Sequence, residues 1–150
     1  MASVLIADSS APLRRAAQFL FESLGFEVAG ARDGAEALSL VEGLSPDLII
    51  VDARLPGFEG AALVGAIRDL PEGRNACIFF VTENSGPAAV RAALEAGADD
   101  YLIKPFDREL LSFKLAQAKA RGHLAARPRA TRLVQDNSSS WRFRTFGKAV

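Results

Sequence analysis

Leu48-Ile49-Ile50-Val51-Asp52-Ala53-Arg54-Leu55-Pro56-Gly57 is the stretch on which the reading of this chain turns. Four consecutive large apolar residues predict a strand buried on both faces, because a strand with one wet face would alternate apolar with polar. The run stops at a carboxylate, Asp52, and a Pro-Gly turn follows. Working outward, four more short, mainly apolar runs read as strands: Val4–Ala7, Phe26–Ala29, Ile78–Val81 and Tyr101–Ile103. Stretches of helical spacing separate them. Over residues 11–24 the apolar positions are Leu13, Ala16, Ala17, Leu20 and Leu24, with Pro12 in the first turn and Gly25 just past the end. Asp33 is placed as the N-cap of a helix through Val41, with Glu36 three residues later, as a capping box requires. Residues 59–69, 87–96 and 107–120 complete the alternation. Five βα units of this kind predict a doubly wound α/β fold, a five-stranded parallel sheet with helices on both faces.

In such a sheet, chemistry gathers at the carboxyl ends of the strands. The residues just past those ends are Asp8 and Ser9, then Asp52, then Thr82, then Lys104-Pro105. A carboxylate beside a second acid, a hydroxyl and a lysine is a constellation for accepting a phosphoryl group. The Asp52 oxygen is the expected nucleophile, Lys104 the cation for the phosphoryl oxygens, and Thr82 their hydrogen-bond donor. Asp8 would hold a cation that offsets phosphate charge.

Taken together, Val4-Leu5-Ile6-Ala7-Asp8, Asp52 through Gly60, Val81-Thr82 and Tyr101-Leu102-Ile103-Lys104-Pro105-Phe106 resemble a response-regulator receiver domain of the CheY type over residues 2–120. The resemblance implies a flavodoxin-like strand order of 2-1-3-4-5. It implies Asp52 as phosphoacceptor, Asp8, Thr82 and Lys104 as its pocket, Thr82 and Tyr101 as switch residues, and a histidine kinase as donor. It implies a signalling module rather than an enzyme. One position departs from the pattern. Such domains carry two acids after the first strand, and here the pair is Asp8-Ser9. Serine is a poor ligand for a hard dication. Magnesium would rest on Asp8, Asp52 and the backbone carbonyl of Arg54, so weak magnesium binding and slow phosphorylation are expected.

Charge divides the chain. Residues 121–150 hold six arginines and one lysine against the single acid Asp136, a net charge of +6. Residues 1–120 hold 11 basic and 17 acidic residues, a net charge of −6. The expected organisation is a receiver over residues 1–120 and an arginine-rich ligand-binding tail over 121–150. In Trp141-Arg142-Phe143-Arg144 aromatic and cation alternate, so an extended segment would set Arg142 and Arg144 on one side and the two rings on the other. Arginine forks read the O6 and N7 edge of guanine, and its face stacks on aromatic rings. Ordering a tail costs about 1–2 kcal/mol per residue of backbone. Only a compact, multiply charged ligand offsets that cost, and two guanines and two phosphates in one ring meet the need.

Arg127-Pro128-Arg129-Ala130-Thr131-Arg132 with Asp136-Asn137-Ser138 partly resembles a cyclic di-GMP motif, though the arginine spacing differs and its later glycine is missing. A receiver lacking its second acid and bearing such a tail is similar to the CheY-like cyclic di-GMP effectors, the Cle proteins. That similarity implies cyclic di-GMP as ligand, a flagellar motor switch protein as partner, and roles in motility and attachment. The expected ligand set is Arg127, Arg129, Arg132, Asp136, Ser138, Ser139, Trp141, Arg142 and Arg144. Trp141 stacks in one reading and anchors the tail in an apolar groove in another, and Phe146 is expected as an anchor.

Two other readings stand beside this one: a phosphorylation-driven single-domain regulator with an incidental tail, and a basic tail that binds polyanions without specificity. The leading reading expects no nucleic acid polymer and no membrane insertion. Cys77, the single cysteine, reads as a small buried hydrophobe. The absence of a leader or a long apolar run suggests a cytoplasmic protein, recruited in the leading reading to the flagellated pole. Arg14 and Arg15 read as a solvated face, and His123 as exposed.

Overall fold

The computed structural model describes residues 2–83 and 87–124. The main sheet is formed by β1 (Ser3–Ala7), β2 (Glu27–Ala31), β3 (Leu48–Asp52), β6 (Cys77–Thr82) and β7 (Asp100–Ile103). Its order is β2-β1-β3-β6-β7 and every pairing in it is parallel. Without the small hairpin described below, that is the order 2-1-3-4-5. The helices are α1 (Ala11–Ser23), α2 (Gly34–Leu44), α3 (Gly60–Asp69), α4 (Pro87–Ala96) and α5 (Arg108–Ala120).

All residues of β1, β3 and β6 are buried, and their side chains alternate between two cores. Leu5, Ala7, Ile49, Val51, Ile78 and Phe80 face α2, α3 and α4. Val4, Ile6, Leu48, Ile50, Phe79 and Val81 lie on the other face with Phe21 of α1 and Leu111 and Leu115 of α5. Cys77 belongs to this second core, and burial pushes its thiol well above its ordinary range. It is a packing residue, as its apolar neighbours in the sequence suggested.

Local signals set the element ends. At α1, Ser10 accepts from the Leu13 N–H at 3.3 Å. At the other end Gly25, at φ +91°, donates to the Glu22 carbonyl, and Phe26 donates to the Phe21 carbonyl, both at 3.0 Å. Those two bonds are a Schellman motif, sealed by the edge-to-face contact of Phe21 and Phe26 at 5.3 Å between ring centroids. Asp33 caps α2 through the Glu36 N–H at 2.8 Å, and the Glu36 carboxylate returns to the Arg32 N–H at 2.9 Å. Asp107 caps α5 through the Leu110 N–H at 2.8 Å.

Three expectations need correction. The second strand runs over Glu27–Ala31 rather than Phe26–Ala29, because pairing with β1 continues through Ala29-Gly30-Ala31, which carry no strong strand signal of their own. The second helix runs on to Leu44. Residues after Asp52 form a hairpin, β4 (Arg54–Leu55) and β5 (Phe58–Glu59), around Pro56-Gly57, so Glu59 precedes its helix instead of starting it. The apolar stripe of α1 packs in part, with Ala17, Leu20 and Leu24 half-buried against the second core. Phe21 is the buried residue of that helix, while Leu13 is 45% exposed.

Candidate functional site

Parallel pairing brings the ends of β1, β3 and β7 to one edge of the sheet, and with them Asp8, Asp52 and Lys104. The Lys104 ammonium lies 3.0 Å from Asp52 Oδ1 and 3.1 Å from Asp8 Oδ2. One cation thus bridges two carboxylates. Asp8 Oδ1 accepts from the Ser10 N–H at 2.9 Å, and the Asp8 carbonyl accepts from the Arg14 guanidinium at 2.7 Å. Both carboxylates are buried.

Burial drives the Asp52 carboxyl above its ordinary value, Lys104 and the Arg54 backbone N–H oppose the rise, and Asp8 adds to it. Burial also disfavours the Lys104 ammonium, but its hydrogen bonds to Asp52 and Asp8 outweigh that and hold its pKa up. Two carboxylates and one ammonium leave the cluster one negative charge in excess. Asp52 is a buried carboxylate lining a cleft, with a cation fixed on one oxygen, an arrangement that phosphoryl acceptance would require.

Thr82 is buried at the end of β6, one residue beyond the position paired with Asp52, and its carbonyl accepts from the Lys104 N–H at 2.8 Å. Ser9 is exposed. Among the described residues no three acids, histidines or cysteines stand together as a metal cage. Asp8 and Asp52 fit a magnesium ion through two carboxylates only, each already engaged with Lys104. A hard dication accepts such a site when phosphate oxygens complete its shell. The Arg54 side chain points away to Glu83 at 3.6 Å in an exposed pair of little energetic weight.

Tyr101 is 36% exposed, and the Lys114 ammonium sits 4.7 Å from its ring centroid while donating to Asp100 at 2.8 Å. Its ring therefore stands on the outer surface beside α5 rather than in the phosphoryl pocket. Arg14 is corrected from solvated charge to an ordered group: it binds the Asp8 carbonyl, and its stem packs over Gly30. Arg15 is exposed, as expected. His123 is exposed, as expected, and its Nδ1 lies 3.3 Å from Asp99. Arg127, Arg129, Arg132, Asp136, Ser138, Ser139, Trp141, Arg142, Arg144 and Phe146 lie outside the described residues.

Three features had no forewarning in the sequence. Arg68 gathers the carbonyls of Gly73, Ala76 and Gly97 and pairs with Asp99 at 3.0 Å, locking α3 to the far end of the sheet. Lys114 and Asp100 pair across β7 and α5. A cleft of about 670 Å³ opens from Asp8, Asp52 and Lys104 along Leu13, Ala17 and Leu20 of α1 and Phe106 of the β7–α5 loop. Helical spacing showed that α1 has an apolar face, and not that the face borders a cleft.

Residues 4–116 match the response regulator receiver domain family. The chain is 36% identical over 117 residues to the transcriptional regulatory protein PrrA of Mycobacterium tuberculosis, covering 78% of this chain and 48% of that protein. It therefore spans about half the length of that regulator. Among solved structures, the chemotaxis protein CheY4 of Vibrio cholerae superposes with a TM-score of 0.74 at 32% identity, covering 78% of this chain and 98% of that one. The receiver domain of the sensor histidine kinase PA1611 of Pseudomonas aeruginosa, solved with magnesium in its active-site cleft, gives a TM-score of 0.71 at 30% identity, covering 77% and 95%.

Proposed function

The chain belongs to the response regulator receiver domain family, and on that premise we propose that it is a CheY-like signalling protein whose input is cyclic di-GMP. The arginine-rich segment over residues 121–150 binds the ligand, and the receiver then engages a flagellar motor switch protein. The observation that carries the reading is the altered acid pair. Ser9 stands where a second acid would hold magnesium, and Lys104 already spans the two carboxylates that remain. A receiver with a weakened metal site needs another input, and the +6 tail supplies the chemistry for one.

In this reading Arg127, Arg129, Arg132, Arg142 and Arg144 pair with phosphates and guanine edges, Asp136 accepts from guanine, Ser138 and Ser139 donate to phosphate, and Trp141 stacks. The output face is the surface around Tyr101. The protein works in the cytoplasm and at the flagellated pole.

A second reading is favoured by the geometry of Asp52, Thr82 and Lys104, which suits phosphoryl acceptance from a histidine kinase with magnesium on Asp8, Asp52 and the Arg54 carbonyl. PrrA is a transcriptional regulator, but this chain matches only 48% of it, and its output is not carried over.

Equilibrium dialysis of the full chain against cyclic di-GMP and cyclic di-AMP separates the readings. Adenine reverses the donor and acceptor arrangement at the six position, so a guanine-reading site should reject the second ligand. Equal retention of both would mean that the tail reads charge alone. Retention of neither, with rapid labelling of Asp52 by an acyl phosphate and magnesium, would favour phosphorylation as the input.

A further inference from the structure

The face of α1 that bears Leu13, Ala17 and Leu20 lines a cleft, with Ala17 and Leu20 half-buried against the core and Leu13 exposed. Helical spacing marks it as a core face, yet Leu13 is 45% exposed and the cleft beside it is about 670 Å³. The cleft is apolar in its body and charged at its rim, where Glu83 and Asp107 are exposed beside Arg108. All three are already committed in part: the Arg108 guanidinium donates to the Ser23 carbonyl at 3.2 Å, Glu83 pairs with Arg54 at 3.6 Å, and Asp107 caps α5 through the Leu110 N–H.

We propose that the cleft between α1 and the β7–α5 loop is an intramolecular docking site for Trp141-Arg142-Phe143-Arg144 of the same chain. In an extended segment Trp141 and Phe143 share a side and would enter against Leu13, Ala17, Leu20 and Phe106. Arg142 and Arg144 share the other side and would reach the rim carboxylates of Glu83 and Asp107. Charge favours the match, with −6 on residues 1–120 and +6 on 121–150.

The reach is sufficient. Leu124 packs back at the far end of α5, its N–H donating to the Ala118 carbonyl at 3.2 Å. The cleft lies at the first turn of that 13-residue helix, about 20 Å away by helical rise. Trp141 lies seventeen positions beyond Leu124. A chain of that length extends to about 55 Å at most and averages about 23 Å as a coil.

Trp141 is the chain's only tryptophan, so its fluorescence reports on this segment alone. In the full chain without nucleotide or phosphoryl donor, docking predicts a blue-shifted emission and acrylamide quenching at least about threefold weaker than for free tryptophan, independent of protein concentration. Leu13→Glu, at an exposed position of the cleft wall, should restore free-tryptophan behaviour. The pair Arg142→Glu and Arg144→Glu, which leaves the receiver's own residues intact, should do the same. Phe113→Glu, on an exposed part of α5 outside the cleft, should change nothing. Free-tryptophan emission in the parent chain would overturn the proposal. So would a blue shift that grows with protein concentration, which indicates a second copy, or release by Phe113→Glu and not by Leu13→Glu. The test involves no ligand of the tail, so its failure leaves the cyclic di-GMP reading standing.

Discussion

Lys104 holds Asp8 and Asp52 together on one ammonium, and the pH response of the pocket follows from that. Burial raises the Asp52 carboxyl, so the folded protein binds that proton more tightly than the unfolded chain does. Its contribution to stability is full below the unfolded value of 3.8 and is lost as pH rises through the raised folded value. Asp52→Asn is neutral at every pH. It should be more stable than the parent at pH 7 by about 1 kcal/mol, a few degrees in Tm, and the advantage should vanish toward pH 3. Thermal melts across pH measure this, and equal stability at pH 7 would mean that Lys104 offsets the burial fully. The Lys104 pKa is raised, so its own contribution is intact below 10.5 and disappears only on the alkaline side. Ser9→Asp adds a third carboxylate and should tighten magnesium binding at least about tenfold, or about 1.4 kcal/mol, in a calorimetric titration. No gain would mean that Ser9 is not what weakens the metal site. The acids and the lysine were legible because strand ends are legible. That Lys104 binds both carboxylates was not, because a partner 96 positions away in sequence is set by strand order.

At the scale of elements, termini were read well where a single side chain acts locally and poorly where pairing acts at a distance. Asp33 at the start of α2 and Gly25 after α1 carry their own signals. The end of β2 is set by β1, and the β4–β5 hairpin by two residue pairs around Pro56-Gly57. The Pro-Gly pair, with Gly57 at φ +87°, was the available clue to that turn. Gly25→Ala forces a Cβ into the left-handed region and should cost about 1 kcal/mol, readable in the urea midpoint. Arg68→Ala leaves the Gly97, Gly73 and Ala76 carbonyls and Asp99 without their shared donor. It should cost roughly 3 kcal/mol in the same assay. A loss below about 1 kcal/mol would show that water replaces the guanidinium at that end of the sheet.

For the whole molecule, two halves of opposite charge make the salt response diagnostic. A tail that binds polyanions without specificity loses affinity steeply with salt. A site that reads guanine edges and stacks its bases keeps most of its affinity at physiological salt. The order of the receiver half was legible, since five short strand runs and the residues just past their ends fix one sheet and one edge. The cleft was not legible, because spacing marks an apolar face without naming what covers it. The ligand set of the tail rests on composition and resemblance, and it is there that measurement decides most. Calorimetric titration of cyclic di-GMP into the full chain and into the Arg142→Ala, Arg144→Ala double variant, at physiological salt, tests the central claim. The account predicts saturable binding by the parent, weakened at least tenfold in the variant. No heat from the parent would contradict it and return the input to Asp52.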